Sequence, residues 1–172
     1  MAENKKTAVV AMSCGVDSSV TALLLQQKGY NVIGLTGKML NDTASEAVVQ
    51  NAKRVADKLG IEHSVYDASS EFQKKVVDYF TESYKSGKTP NPCIMCNQYI
   101  KWGLLFDYAF TTLNADIFAT GHYAQIKFNE KTGRYEIHRG IDNTKDQSYF
   151  LYRLNQKQLS QILMPLGDRK ST

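Results

Sequence analysis

The chain has 172 residues, of which 42% are hydrophobic and 22% are charged, and its formal net charge is +4. This size and composition fit one globular domain and exclude a fibrous or disordered chain. No apolar stretch of signal-peptide length follows the polar start from Met1 to Lys6, and no apolar run reaches the roughly 20 residues of a membrane span. We therefore expect a cytoplasmic protein with reduced thiols and no membrane contact, whose modest positive charge permits a polyanionic partner.

The first predicted elements are an apolar strand, Thr7 to Met12, and a helix from about Asp17 to Lys28, with small polar residues between them. A strand that turns through such residues into a helix presents free backbone N–H groups and the positive end of the helix dipole to an anion. No Gly-Lys-Ser/Thr sequence follows, so the segment is not a Walker loop, and we expect it to bind pyrophosphate. The alternative is an ordinary turn with Asp17 or Ser18 as the N-cap.

Further along the chain, strands alternate with helices. Two capping boxes, Thr43 to Glu46 and Ser70 to Gln73, mark the predicted starts of the second and third helices. The predicted elements after the first helix are strands 31–36, 61–66 and 116–120, helices 43–59, 70–84 and 93–113, a hairpin of strands 123–129 and 135–139, and a helical tail, 147–163.

Strands separated by single helices predict right-handed crossovers. The expected fold is therefore α/β: a Rossmann-like, mostly parallel sheet with helices on both faces and a small β-hairpin extension. Ligands of such a sheet bind beyond the carboxyl ends of the strands, where the loops after Met12, Thr36, Asp67 and Thr120 meet. The phosphate-binding segment lies at this edge.

A pair of cysteines, Cys93 and Cys96, stands at the start of the long helix, after a loop in which two prolines flank Asn91. The helix dipole at such a position should lower the thiol pKa, so a reactive thiolate is our main interpretation. Three alternatives remain, namely inert core cysteines, half of a zinc site and partial ligation of an iron–sulfur cluster. Zinc needs four ligands, and Cys14 and the three histidines add no second paired spacing.

Four motifs, in this order along the chain, resemble the N-terminal catalytic domain of the bacterial tRNA-specific 2-thiouridylases, which has the PP-loop, adenine nucleotide alpha hydrolase-like fold. The first also resembles the Ser-Gly-Gly-X-Asp-Ser loop of the ATP pyrophosphatases. The resemblance runs from about Thr7 to Gly167. The motifs are the loop from Ser13 to Ser18, Asn91-Pro92-X-X-X-Cys96-Asn97, Gly121-His122-Tyr123 and Lys145-Asp146-Gln147-Ser148.

The resemblance implies that ATP, with Mg²⁺, adenylates the C2 oxygen of the wobble uridine of a tRNA, after which a persulfide sulfur displaces AMP. The implied partners are tRNA and a persulfide sulfur-donor protein. Activation by ATP is chemically reasonable because the uracil oxygen is a poor leaving group, and positioning then supplies much of the catalysis. The target base would have to leave its stack to be reached.

The same resemblance implies the roles of individual residues. The implied catalytic residues are Cys96, Cys93 and Asp17. The implied ATP-binding residues are Ala11, Met12, Ser13, Cys14, Gly15, Val16, Asp17, Ser18, Ser19, Thr36, Gly37 and Gly121. The implied contacts to the target base and the tRNA are Asn91, Pro92, Cys93, Lys145, Asp146 and Gln147. Two further groups are left open: Lys101 as a contact to backbone phosphates, and His122 as either a structural histidine or a neighbour of the phosphates.

The sequence departs from the family pattern in several places. Cys14 replaces a glycine of the loop, and Cys93 replaces an aspartate. The family's second catalytic cysteine lies downstream, and its central and C-terminal domains are absent from this chain, so we expect residues 1–172 to be a single ATP-pyrophosphatase domain, either a fragment or a minimal relative in which Cys93 takes the second role. Two cysteines are too few for a stable cluster, so we expect a [4Fe–4S] cluster only in a longer form.

Two other functions remain open on the sequence alone. One is another ATP pyrophosphatase, of the amidotransferase-ligase or lysidine-synthase type, which would use a nitrogen nucleophile and leave Cys96 dispensable. The other is a non-catalytic module that binds an adenine nucleotide and never releases pyrophosphate.

Overall fold

The computed structural model describes residues 5–170, so most of the polar start and the last two residues, Ser171 and Thr172, lie outside the described residues. The main sheet contains β1 (Thr7–Ala11), β2 (Asn31–Lys38), β3 (Glu62–Asp67), β4 (Ile117–Ala119) and β7 (Ile162–Leu163). These strands are parallel and lie in the order β3-β2-β1-β4-β7. A separate antiparallel hairpin consists of β5 (Ala124–Asn129) and β6 (Arg134–Arg139).

The helices connect these strands and cover the sheet. They are α1 (Val16–Gln27), α2 (Thr43–Leu59), α3 (Ser69–Phe72), α4 (Tyr79–Lys85), α5 (Pro92–Met95), α6 (Phe106–Thr111) and α7 (Gln156–Ser160). A π-helical stretch, Gln73–Asp78, joins α3 to α4, and a second one, Cys96–Leu105, joins α5 to α6. Within residues 5–170, no helix combines the length and the apolar character that crossing a bilayer requires.

Two hydrophobic clusters lie on opposite faces of the sheet because the side chains of a strand alternate in direction. Ala8 and Val10 of β1 belong to one cluster, which α1 and α2 cover, whereas Val9 belongs to the other, which the α5–α6 segment covers. Phe118 at the centre of β4 is fully buried in the second cluster. The predicted α/β fold, a parallel sheet with helices on both faces and a small hairpin, is confirmed.

Glycines end the first two helices as the sequence predicts. Gly29 and Gly60 follow α1 and α2 with φ values of 88° and 66°, a region that glycine enters without steric cost. The predicted start of α2 at Thr43 is confirmed, whereas α3 begins at Ser69, one residue before the predicted Ser70. The predicted capping residues are wrong in both helices. Asp42 is the N-cap of α2 and accepts a hydrogen bond from the Ser45 N–H at 2.7 Å, and Asp67 accepts one from the Ser69 N–H at 2.9 Å. An aspartate one residue before the first predicted capping box and three residues before the second accepts the hydrogen bond in each case, and the N-cap residues are Asp42 and Ala68.

The predicted helical tail, 147–163, is also wrong. Asp146 and Asn155 each accept a hydrogen bond from a backbone N–H two or three residues later, so the chain forms a 3₁₀ turn, Ser148–Leu151, and then the short α7. The chain then continues as β7, in which Ile162 pairs with Phe118. Two residues are too few for a strand signal in the sequence, so this pairing with β4 decides the structure.

The strand order creates a crevice at the carboxyl edge of the sheet. From β1 the chain adds β2 and β3 on one side and then crosses to add β4 on the other side. The loops after β1 and β4 therefore diverge, and such a topological switch point is where ligands of open α/β sheets bind.

Candidate functional site

A cavity of about 260 Å³ opens at this switch point. It is lined by residues from the ends of β1 and β2, from the loops after β1, β2 and β4, from α1 and α2, from the second π-helical stretch, and by Gln147. The lining residues are Ala11, Met12, Ser13, Asp17, Ser18, Leu35, Gly37, Met39, Val48, Lys101, Leu105, Thr120, Gly121, His122 and Gln147. Eight of the predicted site residues are among them: Ala11, Met12, Ser13, Asp17, Ser18, Gly37, Gly121 and Gln147. The loop after β3, which we expected at this edge, contributes none of the described lining residues.

The N-terminus of α1 lies beside this cavity without a side-chain cap. Its N-cap residue is Gly15, so the alternative with Asp17 or Ser18 as the N-cap is wrong. The Ser18 hydroxyl instead donates to the Gly15 carbonyl at 3.0 Å and accepts from the Ser13 N–H at 3.4 Å, which holds the loop closed. Because no cap side chain occupies the first N–H groups of this 12-residue helix, they can bind an anion.

Cys14 occupies the left-handed region of the loop, with φ of 60°. The family pattern has glycine there, and glycine adopts this conformation without the cost that a side chain adds, about 1 kcal/mol or more. The chain thus keeps the glycine-like backbone despite the substitution. The thiol is half-buried and packs against the cluster that contains Met12.

Gly121 lets the loop after β4 approach the first turn of α1 closely. A Cβ atom on Gly121 would lie 2.9 Å from the carbonyl carbon of Asp17 and 3.0 Å from the Ser18 nitrogen. Both are backbone atoms that cannot move aside without displacing the helix. The role of Gly121 is therefore to close one side of the cavity.

Asp17 connects the cavity to the Lys145–Gln147 segment through Tyr123. The Tyr123 hydroxyl donates to Asp17 Oδ1 at 2.9 Å, and the Gln147 side chain accepts from the Tyr123 N–H at 3.1 Å. Lys145 Nζ lies 5.2 Å from the centre of the Tyr123 ring. Burial, followed by the hydrogen bond to Asp17, raises the pKa of Tyr123, so this phenol stays protonated and keeps donating.

The carboxylate of Asp146, which we predicted as a tRNA contact, makes hydrogen bonds and an ion pair with other residues of the chain. It accepts from the Ser148 N–H and hydroxyl, both at 3.0 Å, and lies 3.5 Å from Arg139. Burial acts to raise the pKa of Asp146, but these hydrogen bonds and the Arg139 charge outweigh it and lower the pKa. Asp146 therefore positions the segment.

The Thr36 side chain faces the sheet rather than the cavity. Its hydroxyl donates to the Met12 carbonyl at 3.0 Å and lies 2.8 Å from His63 Nε2. Gly37, the next residue, lines the cavity. Thr36 thus holds the chain just after β1 in place, and of the two residues predicted to border a nucleotide here, only Gly37 lines the cavity.

His122 is buried on one wall of the cavity with its ring against Trp102, at a centroid distance of 5.8 Å. Its Nδ1 lies 2.7 Å from the Thr120 hydroxyl. Burial, reinforced by the charge of Lys101, lowers the pKa of His122 to about 3, so the ring is neutral at physiological pH. Lys101 is therefore the charged group on this wall.

Lys101 also acts on Cys96, which the sequence did not indicate. The segment that carries both is π-helical, with i to i+5 hydrogen bonds, so residues 96 and 101 lie about one turn apart. In the α-helix that we predicted, they would point in different directions. Lys101 lines the cavity, whereas Cys93 and Cys96 do not.

The expectation of low thiol pKa values at this helix start is wrong for Cys96. Burial raises the pKa of Cys96, the Lys101 charge opposes this, and Cys93 adds a further increase. The helix starts after Asn91, whose side chain accepts from the Ile94 N–H at 3.3 Å. The helix dipole acts mainly within the first turn, and Cys96 lies beyond that turn. Its side chain packs against the core. Cys93, in the first turn, is exposed.

We expect iodoacetamide to alkylate Cys93 at least about tenfold faster than Cys96 at neutral pH, because exposure and thiolate fraction control the rate. Peptide mass spectrometry over time measures both rates. Lys101→Met should slow the alkylation of Cys96 further, because it removes the charge that favours the Cys96 thiolate. Lys88→Met, at a lysine outside the cavity, is the control and should leave the rate unchanged. Faster labelling of Cys96 than of Cys93 would contradict the burial argument.

A protein-family model described as the tRNA methyl transferase HUP domain matches residues 6–172. Among similar curated proteins, the tRNA-specific 2-thiouridylase MnmA of Syntrophomonas wolfei is 51% identical over 92% of this chain and 45% of its own length. The MnmA proteins of Clostridium acetobutylicum and Pelotomaculum thermopropionicum are 49% and 46% identical and are covered over 49% and 48% of their length. The chain thus spans about half the length of these relatives.

Two solved structures are similar in fold. A predicted subunit of tRNA methyltransferase from Methanocaldococcus jannaschii superposes with a TM-score of 0.54 at 18% identity, over 94% of this chain and 68% of that one. The U34-tRNA thiolase NcsA from Methanococcus maripaludis, with its [4Fe-4S] cluster, gives 0.52 at 21% identity, over 70% of this chain and 39% of that one. At these identities the similarity establishes the architecture alone.

Proposed function

Because the chain belongs to the tRNA methyl transferase HUP domain family, we propose that it is the ATP-pyrophosphatase domain of a tRNA 2-thiouridylase, acting on the wobble uridine of tRNA in the cytoplasm. The single observation that carries this proposal is the uncapped N-terminus of α1, with Asp17 in its first turn, on a cavity at the switch point of the sheet. The names of the relatives, at 46–51% identity, support the same activity.

The cavity favours adenylation over methyl transfer. A helix N-terminus attracts anions, and Lys101 adds a positive charge to the cavity lining, so phosphates are the groups that this cavity would bind well. A sulfonium methyl donor is a cation at its reacting centre and would gain nothing from these charges. The nucleotide would place its phosphates between Ser13 and Ser18 and its remaining part along Gly37 and Gly121.

Asp17 is the residue that fits Mg²⁺. This ion commonly takes one or two carboxylates and completes its shell with phosphate oxygens and water, which matches a single carboxylate beside a phosphate site. In the described part of the chain, no group of three acidic, histidine or cysteine side chains could hold a metal alone. When bound, the ion would neutralise phosphate charge.

In the proposed reaction the uridine C2 oxygen attacks the α-phosphorus of ATP, and pyrophosphate leaves. The terminal sulfur of a persulfide on Cys96, loaded by a sulfur-donor protein, then attacks C2 and releases AMP. Cys93 attacks the Cys96 sulfur, so that the C2 sulfur is freed and a disulfide forms between the two cysteines. The exposure of Cys93 and its position one turn before Cys96 support this order.

The cysteines of this chain do not fit an iron–sulfur cluster by themselves. The chain contains three cysteines, and a [4Fe–4S] cluster takes four thiolates. Cys14 belongs to the loop after β1, whereas Cys93 and Cys96 belong to the α5–α6 segment, and the three do not form a candidate metal group within residues 5–170. A cluster in a longer form would need ligands from outside this chain.

Mass spectrometry of tRNA nucleosides tests the proposal after incubation of the chain with tRNA, ATP, Mg²⁺ and a low-molecular-weight persulfide. We expect 2-thiouridine and pyrophosphate release that depends on a wobble uridine, and we expect Cys96→Ser to keep pyrophosphate release but lose the thionucleoside. ATP binding without pyrophosphate release for any tRNA would identify a nucleotide-binding module instead. Product formation with a nitrogen nucleophile that survives Cys96→Ser would identify another ATP pyrophosphatase.

A further inference from the structure

Two tyrosines beyond the Lys145–Gln147 segment expose their rings to solvent. Tyr149 and Tyr152 have exposed fractions of 64% and 56%, and their ring centres lie 6.1 Å apart with an angle of 34° between the planes. Between them Leu151 is fully buried in the core. A buried anchor thus holds the 3₁₀ turn while both aromatic rings point outward.

Arg153 links these rings to the helical segment that carries the cysteines. Its guanidinium carbon lies 5.5 Å from the centre of the Tyr152 ring, and its Nε donates to the Tyr152 hydroxyl at 2.9 Å. The guanidinium also donates to Gln98 Oε1 and lies 4.0 Å from the Met95 sulfur. The exposed aromatic surface therefore adjoins the turn of the helix that contains Cys96.

We propose that Tyr149, Tyr152 and Arg153 form a stacking platform for an unpaired nucleobase of the RNA substrate, beside the base that reaches Cys96. This inference rests on the proposed function for its substrate. Every nucleobase has a flat π face, and stacking on tyrosine or on an arginine plane is the usual way in which proteins bind unpaired RNA bases. The target base must leave its stack to be reached, so the bases next to it lose a stacking partner. The platform would bind one of these neighbouring bases.

The charges around the platform favour RNA as the occupant. Lys145 lies exposed on the same segment, with its Nζ 5.2 Å from the centre of the Tyr123 ring, and Arg153 adds a second positive charge over the Tyr152 ring. The chain as a whole has a net charge of +4. Cations beside exposed aromatic rings provide both the phosphate contact and the stacking surface that single-stranded RNA requires.

Equilibrium binding of the 172-residue chain to a tRNA and to a short single-stranded RNA, at several salt concentrations, tests the platform. Tyr149→Ala and Tyr152→Ala should each weaken binding by roughly tenfold without changing the salt slope, because stacking releases no counterions. Tyr152→Phe, which keeps the ring, should bind like the wild type. Arg153→Ala should reduce the salt slope by about 0.7 to 0.9, the value of one phosphate contact.

Tyr84→Ala is the matched control. Tyr84 has the same exposed fraction as Tyr152, 56%, but lies on α4 against Phe80. If tRNA binds the wild type and the alanine variants at 149 and 152 bind as tightly as Tyr84→Ala, the platform is wrong and the proposed function stands. If the wild-type chain binds neither RNA, both are wrong. Loss of binding in Tyr152→Phe as well as in Tyr152→Ala would overturn stacking in favour of the hydroxyl.

Discussion

Asp17→Asn should lower tRNA-dependent pyrophosphate release by on the order of 100-fold, the usual effect of removing one electrostatic partner of a transferring group. The carboxylate lies in the first turn of α1 on the cavity, where it would hold Mg²⁺ against the phosphates. The amide keeps the size of the side chain and an oxygen that can accept from Tyr123. The change therefore removes charge and leaves the hydrogen bond. Release of pyrophosphate is measured at saturating ATP and tRNA.

Tyr123→Phe is the complementary variant, since it removes the 2.9 Å hydrogen bond to Asp17 and keeps the carboxylate. We expect it to retain activity within about tenfold, as positioning is weakened while the charge remains. Chemical unfolding of both variants checks that they fold. An acidic residue in the first turn of a helix contributes about 1 kcal/mol or less to the free energy of unfolding, so the loss of the Asp17 charge should leave the chain folded. Wild-type pyrophosphate release by a folded Asp17→Asn would exclude Asp17 from the reaction.

The free energy of unfolding should fall by about 2 kcal/mol between about pH 7 and about pH 5, because of His122. The pKa of His122 is about 3 in the folded chain, below the ordinary value of 6.5. Between these two values the unfolded chain binds a proton that the folded chain does not, so acid favours unfolding. This contribution is fully present above about pH 6.5 and is lost as the pH falls. Urea unfolding at a series of pH values measures it.

His122→Asn should remove most of this pH dependence. A smaller dependence will persist in His122→Asn, since burial also lowers the pKa of the half-buried His63. Carboxylates with a lowered pKa, such as Asp146, also contribute to the free energy of unfolding, but this contribution is lost only at more acidic pH. An unchanged pH dependence in His122→Asn would show that this ring is solvated in the folded chain.

The sequence predicts those parts of the fold that local chemistry decides. Gly29 and Gly60 end their helices as expected, and the segment before α1 lies at the expected edge of the sheet, because backbone freedom and strand direction are local properties. The tail was mispredicted because β7 has two residues and exists only through its pairing with β4. Sequence spacing cannot reveal a strand whose stability comes from a partner more than forty residues away.

In the candidate site, too, the sequence predicts some features and misses others. Asp17 and Gly121 were named from motifs and both lie on the cavity, although their roles remain predictions. The influence of Lys101 on Cys96 was missed because it depends on a π-helical turn, and a hydrophobic pattern of this length does not distinguish it from an α-helix. The raised pKa of Cys96 was missed for a related reason, since it comes from packing against residues distant in sequence.

The position of β1 at the centre of the sheet determines when the cavity can form during synthesis. β1, β2 and β3 lie within the first 67 residues and can pair as soon as these have emerged. The other edge of β1 stays unpaired until β4 is made. Just before β4, the Asp116 carboxylate also accepts a hydrogen bond from the Thr7 N–H at 2.7 Å. During this interval Ala8, Val9 and Val10 lie on an unpaired strand edge, a surface that favours pairing with other chains. The cavity, whose lining residues run from Ala11 to Gln147 along the sequence, is therefore among the last features to assemble, and we expect that a nascent chain cannot bind the proposed nucleotide until Gly121 has emerged.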